Sequence, residues 1–186
     1  MSEFRVASRY AKSLLGLAHE TGVLEEVHND MLLLSKVCTE NRDFGLMLKN
    51  PIIKHDKKRS ILNAVFKGKV NKVTSAILDI LTRKNRESVI PAIAIEFVNQ
   101  YNIFKSIEVA QITTTFPLDQ ALRAEFEKIV AQISDKKSVQ LEEKIDKDLI
   151  GGYVLRVGDR QIDDSIASKI TELKLRFSHN PFIKEF

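Results

Sequence analysis

The chain has no tryptophan, one cysteine, four histidines and no long apolar run. Each shortage removes a class of protein. Cys38 alone cannot build an internal disulfide framework, and a lone thiol suits a reducing compartment. It lies in an apolar helical pattern, where a thiol acts as a small buried hydrophobe rather than a nucleophile. No stretch reaches the roughly 18 apolar residues a membrane span requires. The N-terminus shows no charged-then-apolar leader with a cleavage site, so no secretory signal is expected. His19, His28, His55 and His179 never fall at metal-ligand spacing, and no second cysteine can join them. There is no Gly-rich loop ending in Gly-Lys-Ser/Thr and no serine in a Gly-x-Ser-x-Gly elbow. Asp159, Asp163 and Asp164 cluster, but their spacing misses the calcium-loop pattern, and turn and cap duties explain all three. No internal repeat or low-complexity segment is present. The expectation is a chain with no chemistry, metal or cofactor of its own.

What is present is ordinary for a soluble globular protein: 186 residues, 44% hydrophobic and 29% charged. The net charge of +4 is uneven. Residues 1–104 hold 16 Lys+Arg against 11 Asp+Glu, and residues 105–186 hold 13 against 14. A basic half admits nucleic acid, an acidic partner, or no partner at all. Its tightest cluster, Lys57-Lys58-Arg59, reads as a solvated helix face.

Periodicity divides the chain. Phe4 to Glu20 reads as a helix ended by Thr21-Gly22, and Leu24 to Thr39 as a second. Asn41 is a candidate cap for a third, Asp43 to Lys49, stopped by Asn50-Pro51. His55 to Phe66 is a fourth, with Ile61, Leu62, Val65 and Phe66 inward. Asn71 caps a fifth that reaches Lys84. Ser88 is a candidate cap for a sixth, with Pro91 in its first turn and Ile93, Phe97 and Tyr101 on one face. Between Tyr101 and Ser106 the period switches from helical to alternating. Ile107 and Val109 point one way, and Ile112, Thr114 and Phe116 resume after a phase slip that suggests a bulge. Asp119 then caps a helix, and Val139, Leu141 and Ile145 alternate in a second strand. The expected fold is mixed: an all-α six-helix bundle over 1–104, then a small α/β domain of order β-α-β-β-α over 105–186. The polar tail from His179 is expected to fray or dock lightly.

The densest run of local signals is Ile150 to Lys169. Tyr153, Leu155 and Val157 alternate with Val154 and Arg156, as on a pleated strand. Gly151 and Gly152 open it, where a strand bulges or another backbone comes close. Gly158-Asp159 reads as a turn, and Arg160 to Ile162 as a return strand. Asp163, Asp164 and Ser165 offer cap oxygens to a helix with apolar positions Ile166, Ile170, Leu173 and Phe177.

Gly151, Gly152, Val157, Gly158, Asp159, Ile162, Asp163, Ser165 and Lys169 together resemble the C-terminal signature of the delta subunit of the rotary proton-driven ATP synthase. The mitochondrial counterpart is the oligomycin-sensitivity-conferring protein. Ala7, Arg9, Tyr10, Ala11, Lys12, Leu15 and Ala18 resemble the opening helix of that family. The resemblance implies a non-catalytic connector in the stator, one copy per complex and a monomer in isolation. It implies a helical domain that holds the N-terminal helix of an alpha subunit, and a C-terminal domain that meets the peripheral-stalk b subunits. It also implies a peripheral place on the cytoplasmic face of a bacterial cell membrane, reached only through the complex.

The first and fifth helices carry apolar arcs wider than one core contact requires. Such arcs fit a groove for a partner's amphipathic helix, or helices buried at the centre of a bundle. With the resemblance, the expectation is that the two helices lie side by side. Tyr10, Ser13, Leu14, Leu17, Ile77, Ile80, Leu81 and Lys84 are then expected on or beside the alpha-binding surface. The rival reading is a helical nucleic-acid-binding protein with an accessory α/β domain. Scattered charge and the absence of tryptophan and of a recognition motif weaken it, and no nucleic-acid partner is expected.

Overall fold

The periods of the sequence resolve into eight α-helices and one four-stranded sheet in the computed structural model, which describes residues 3–134, 136 and 138–178. The tail from His179 lies outside the described residues. The chain separates into two compact units, Met1–Phe104 and Lys105–Phe186.

The first unit contains α1 (Glu3–Glu20), α2 (Leu24–Glu40), α3 (Arg42–Lys49), α4 (His55–Phe66), α5 (Lys72–Arg83) and α6 (Ile90–Phe104). A short 3-10 turn, Glu87–Val89, precedes α6. α6 is the hub, with Ile90, Ile93, Ala94, Phe97 and Tyr101 buried and α1 and α2 as its main neighbours. α1 buries Ala7, Ala11, Leu14 and Ala18, a stripe at i, i+4, i+7 and i+11. Three of these four are alanine, so the stripe is shallow. The larger apolar residues Phe4 and Leu17 stay exposed. α2 contributes Val27, Met31 and Leu34.

Local signals set most helix ends. Gly22 takes φ +72° after α1, a left-handed conformation that glycine adopts without a Cβ clash. Asn71 caps α5 through its side-chain oxygen, which accepts from Val73 N at 2.9 Å. Buried Asp30 of α2 reinforces that end by accepting from Asn71 N at 2.7 Å and Thr74 Oγ1 at 2.6 Å. Two expected caps differ. The Asn41 amide donates back to Val37 O instead of capping α3. Ser88 lies within the 3-10 turn, and α6 begins after it at Ile90.

Two readings of α4 are corrected. Ile61 is 39% exposed and does not face inward. The Lys57-Lys58-Arg59 triplet is no solvated face, because Lys58 occupies the buried stripe with Leu62 and Phe66. The Lys58 ammonium donates to Glu87 Oε1 at 2.7 Å and to Leu48 O at 2.9 Å. Its two bonds replace the water it loses on burial. Arg59 forks onto both oxygens of Asp79 at 2.7 and 2.6 Å, tying α4 to α5.

The second unit is built from β1 (Ile107–Thr114), α7 (Gln120–Ile133), β2 (Ser138–Ile145), β3 (Tyr153–Val157), β4 (Arg160–Asp163) and α8 (Ile166–Ser178). The sheet order is β2-β1-β3-β4. β1 runs parallel to β2 and antiparallel to β3, and β3 and β4 form a hairpin. The parallel pair needs a crossover, which α7 supplies. The core joins Ala110 and Ile112 of β1, Leu155 and Val157 of β3, and Phe126 and Val130 of α7. The expected bulge in β1 is absent: pairing with β2 runs residue for residue from Ile107 to Thr114. Ala110, Ile112 and Thr114 form the buried face, and Ala110 is what a search for large apolar residues misses. Phe116 lies beyond the strand and is exposed.

Candidate functional site

α1 and α5 touch each other, although the main neighbour of α1 is α6 and that of α5 is α4. On α1, Tyr10 is half-buried, while Ser13 and Leu17 are exposed. On α5, Ile77 is half-buried, while Ile80 and Lys84 are exposed. Each set has the spacing i, i+3 and i+7, which places it on one strip of its helix. Leu17 is 47% and Ile80 44% exposed, so each strip offers a large aliphatic side chain to a partner.

Leu14 and Leu81 depart from the expected surface. They are 2% and 1% exposed and belong to the core beneath the strips. A 100° step per residue cannot tell which edge of a wide apolar arc faces inward, because that depends on the neighbouring helices.

The structure adds residues to the N-terminal end of this region. Val6, Arg9 and Arg86 join Tyr10 and Ser13 around a cleft of about 250 Å³. Arg86 Nη1 donates to the Tyr10 hydroxyl at 3.2 Å, and the guanidinium lies 5.9 Å from the centre of that ring. The contact spans 76 residues of sequence, so no local pattern announces Arg86.

The signature glycines have definite backbone duties. Gly152 takes φ +78°, and a Cβ there would collide with the carbonyl oxygen of Asp164. A Cβ on Gly151 would lie 2.7 Å from Ile166 Cδ1. Both let the start of β3 lie against the start of α8, where Ile166 N donates to Gly151 O at 3.0 Å and Asp164 N to Tyr153 O at 3.0 Å. Gly158, at φ +56°, makes the β3–β4 turn with exposed Asp159.

The three cap candidates divide the work. Buried Ser165 caps α8 directly, its Oγ accepting from Ser168 N at 3.2 Å. Asp163 accepts from Ser168 Oγ at 2.7 Å and Ser165 N at 2.9 Å. These bonds, that from Ser168 foremost, hold its carboxyl below the usual aspartate range. Asp164 instead pairs with Lys169 at 2.5 Å. Among the described residues no three His, Cys, Asp or Glu gather as metal ligands.

α8 buries none of its residues. Ile166, Ile170, Leu173 and Phe177 are 44%, 38%, 50% and 84% exposed, and they recur at i, i+4, i+7 and i+11. Ile150 stands nearby, 66% exposed, with the strained backbone φ of +64°. The apolar arc of α8 is therefore an open face rather than a core contact among the described residues.

A family model described as the ATP synthase delta (OSCP) subunit matches residues 6–177. The chain is similar to the ATP synthase subunit delta of Cytophaga hutchinsonii, with 44% identity over 96% of this chain and 97% of that protein. It is also similar to the subunit of the same name from Flavobacterium johnsoniae, with 37% identity over 96% and 100%. Among solved structures, a chain of the Toxoplasma gondii mitochondrial ATP synthase hexamer shares the fold with a TM-score of 0.66, at 19% identity over 95% of this chain and 98% of that one. The nucleic-acid-binding reading finds no support in these matches.

Proposed function

The chain belongs to the ATP synthase delta (OSCP) subunit family, and we propose that its α1 and α5 strips grip the N-terminal helix of an alpha subunit. As a member of that family it is a non-catalytic component of the stator, and its association with the membrane comes through the complex. No helix among the described residues is long and apolar enough to cross a membrane. In this reading residues 1–104 act as a six-helix bundle domain on the catalytic head. Residues 105–186 act as an α/β domain that meets the b subunits of the peripheral stalk. One copy per complex, on the cytoplasmic face, then resists rotor torque.

The observation that carries the grip is the pair of matched strips, Tyr10-Ser13-Leu17 and Ile77-Ile80-Lys84, on helices that touch. Their apolar members, Tyr10, Leu17, Ile77 and Ile80, suit the apolar face of an amphipathic helix. The test is titration of the full chain with a synthetic peptide of its alpha subunit's N-terminus. Leu17→Asp or Ile80→Asp should weaken binding by about 2 kcal/mol or more, since a charge is forced against apolar surface. Both positions are exposed, so the fold should survive each change. Unaltered peptide affinity in both variants, with circular dichroism unchanged, would sink the assignment. Leu14→Asp is unsuitable for this test, because it places a charge in the core.

For the second contact, the unburied apolar face of α8 with Ile150 beside it offers the surface a stalk helix requires. Gly151 to Ser165 supports that surface and performs no reaction.

A further inference from the structure

The basic charge of the first unit, expected to be scattered over several helices, falls mostly on one segment. Residues 54–87, which hold α4, α5 and their connection, carry 10 Lys+Arg against 3 Asp+Glu. The rest of the unit, residues 1–53 and 88–104, carries 6 against 8. The few acids of the basic segment are already engaged. Glu87 faces buried Lys58, Asp79 takes Arg59 and Arg83, and Asp56 lies 3.3 Å from His55. Lys54, Lys57, Lys67, Lys69, Lys72 and Lys84 are exposed and have no carboxylate at ion-pair distance among the described residues.

Three of these lysines, Lys67, Lys69 and Lys72, lie at one depression. Between α4 and α5 lies a cleft of about 540 Å³, with Leu62, Phe66 and Leu78 in its walls and Lys67 and Lys72 among its lining residues. Lys69 lies in the loop that closes its end, and Lys57 lines a second, open depression beside Ile61 on α4. The cleft is not a continuation of the alpha-binding strip. At 100° per residue, Ser75 and Leu78 in the cleft stand roughly 150° around α5 from Ile80. α5 therefore presents one flank to each surface, with its core stripe of Thr74, Leu78 and Leu81 between them.

We infer that the α4–α5 cleft docks an acidic amphipathic helix of another protein chain, with its apolar residues in the cleft and its carboxylates on Lys67, Lys69 and Lys72. The chemistry selects this occupant. Uncompensated ammonium groups around an apolar depression match carboxylates flanking aliphatic side chains. Nucleic acid fits poorly, because base stacking needs an open ring face and Phe66 is 2% exposed, whereas apolar packing needs only the edges that Leu62, Phe66, Leu78 and half-buried Val70 present to the cleft. A membrane surface fits poorly as well, since the apolar residues line a hollow instead of projecting from one. The inference rests on the chain's place in the synthase for its setting, but it concerns a face separate from the alpha grip.

The assembled synthase provides the test. Zero-length carbodiimide cross-linking should join Lys67, Lys69 or Lys72 to Asp or Glu of an amphipathic segment in another subunit. The same lysines should react with a soluble acylating reagent several-fold more slowly in the complex than in the free chain. Lys67→Glu with Lys72→Glu should weaken rebinding to synthase stripped of this subunit about tenfold or more at low salt and flatten its salt dependence. Lys67→Arg with Lys72→Arg should preserve both. The alpha N-terminal peptide should bind the charge-reversed chain as before, which separates this inference from the alpha grip. Equal lysine reactivity in complex and free chain would overturn it. So would protection without any carboxylate cross-link, loss of alpha-peptide affinity in the reversed variant, or lysine-dependent binding of a single-stranded oligonucleotide.

Discussion

Lys58 and Glu87 show how much a single side chain's surroundings decide. The pair is almost fully buried, at 3% and 9% side-chain exposure, and Glu87 Oε2 has no hydrogen-bond partner among the described residues. Lys58→Met removes the ammonium and leaves a carboxylate in the core, at a cost of about 3–5 kcal/mol. The double change Lys58→Met with Glu87→Leu removes both charges and should recover most of that loss in urea denaturation. If the single and double variants are equally unstable, the coupling between the two charges is not what holds α4 to the 3-10 turn. The glycines of the signature separate in the same way. A Cβ on Gly158 meets nothing closer than 3.5 Å, so Gly158→Ala carries only the left-handed backbone cost of about 1–2 kcal/mol. At Gly152 that cost is joined by a clash with the Asp164 backbone, which cannot rotate away as a side chain can. Gly152→Ala should therefore lower the melting temperature clearly more than Gly158→Ala. The reverse order would mean that the close approach of β3 to α8 is not what makes this glycine necessary.

At the scale of the element, α5 and α8 are opposite cases. α5 is held by caps and ion pairs on several sides: Asn71 and Asp30 at its start, and Arg59 on Asp79 along its length. α8 is held at its start by Ser165 and Asp163 and shows its apolar face outward. A helix anchored at one end with an open apolar face is organised for a partner. Ile150 adds a separable test, because a β-branched residue at φ +64° stores roughly 1–3 kcal/mol of strain. Ile150→Gly releases that strain, so stability should hold or rise slightly. Affinity for the b subunits should fall, since an exposed apolar side chain is lost from the edge of the α8 face. Phe177→Asp should lower the same affinity with stability unchanged. Undiminished stalk binding in both variants would remove α8 from the contact.

At the scale of the whole molecule, the two compact units each have their own core and meet in sequence between Phe104 and Lys105. Residues 1–104 alone should give helical circular dichroism and a cooperative thermal transition, since the buried stripes of α1, α2 and α6 all lie within them. A fragment without such a transition would show that the helices need the second unit to fold. Magnesium, calcium or nucleotide added to the full chain should leave the melting temperature where it was, because a ligand that binds only the native state must raise it. A ligand-dependent rise abolished by Asp159→Ala or Asp163→Ala would reveal a real site at the signature turn.

What local chemistry controls is legible in the residues alone. The 3.6-residue and two-residue periods locate helices and strands because each element must bury one side. Asn71, Gly158 and Asp119 mark their caps and turn because those functions act within a few residues. The signature glycines are legible as backbone constraints for the same reason. Packing between elements sets which part of an apolar arc is core and which is surface. It buried Leu14 and Leu81, left Leu17 and Ile80 outside, and opened the whole apolar face of α8. It also placed Lys58 inside, against a carboxylate 29 residues away, where its sequence neighbours suggested solvent. Burial belongs to the packing of elements against one another, and a period along one helix cannot say how many neighbours that helix will have.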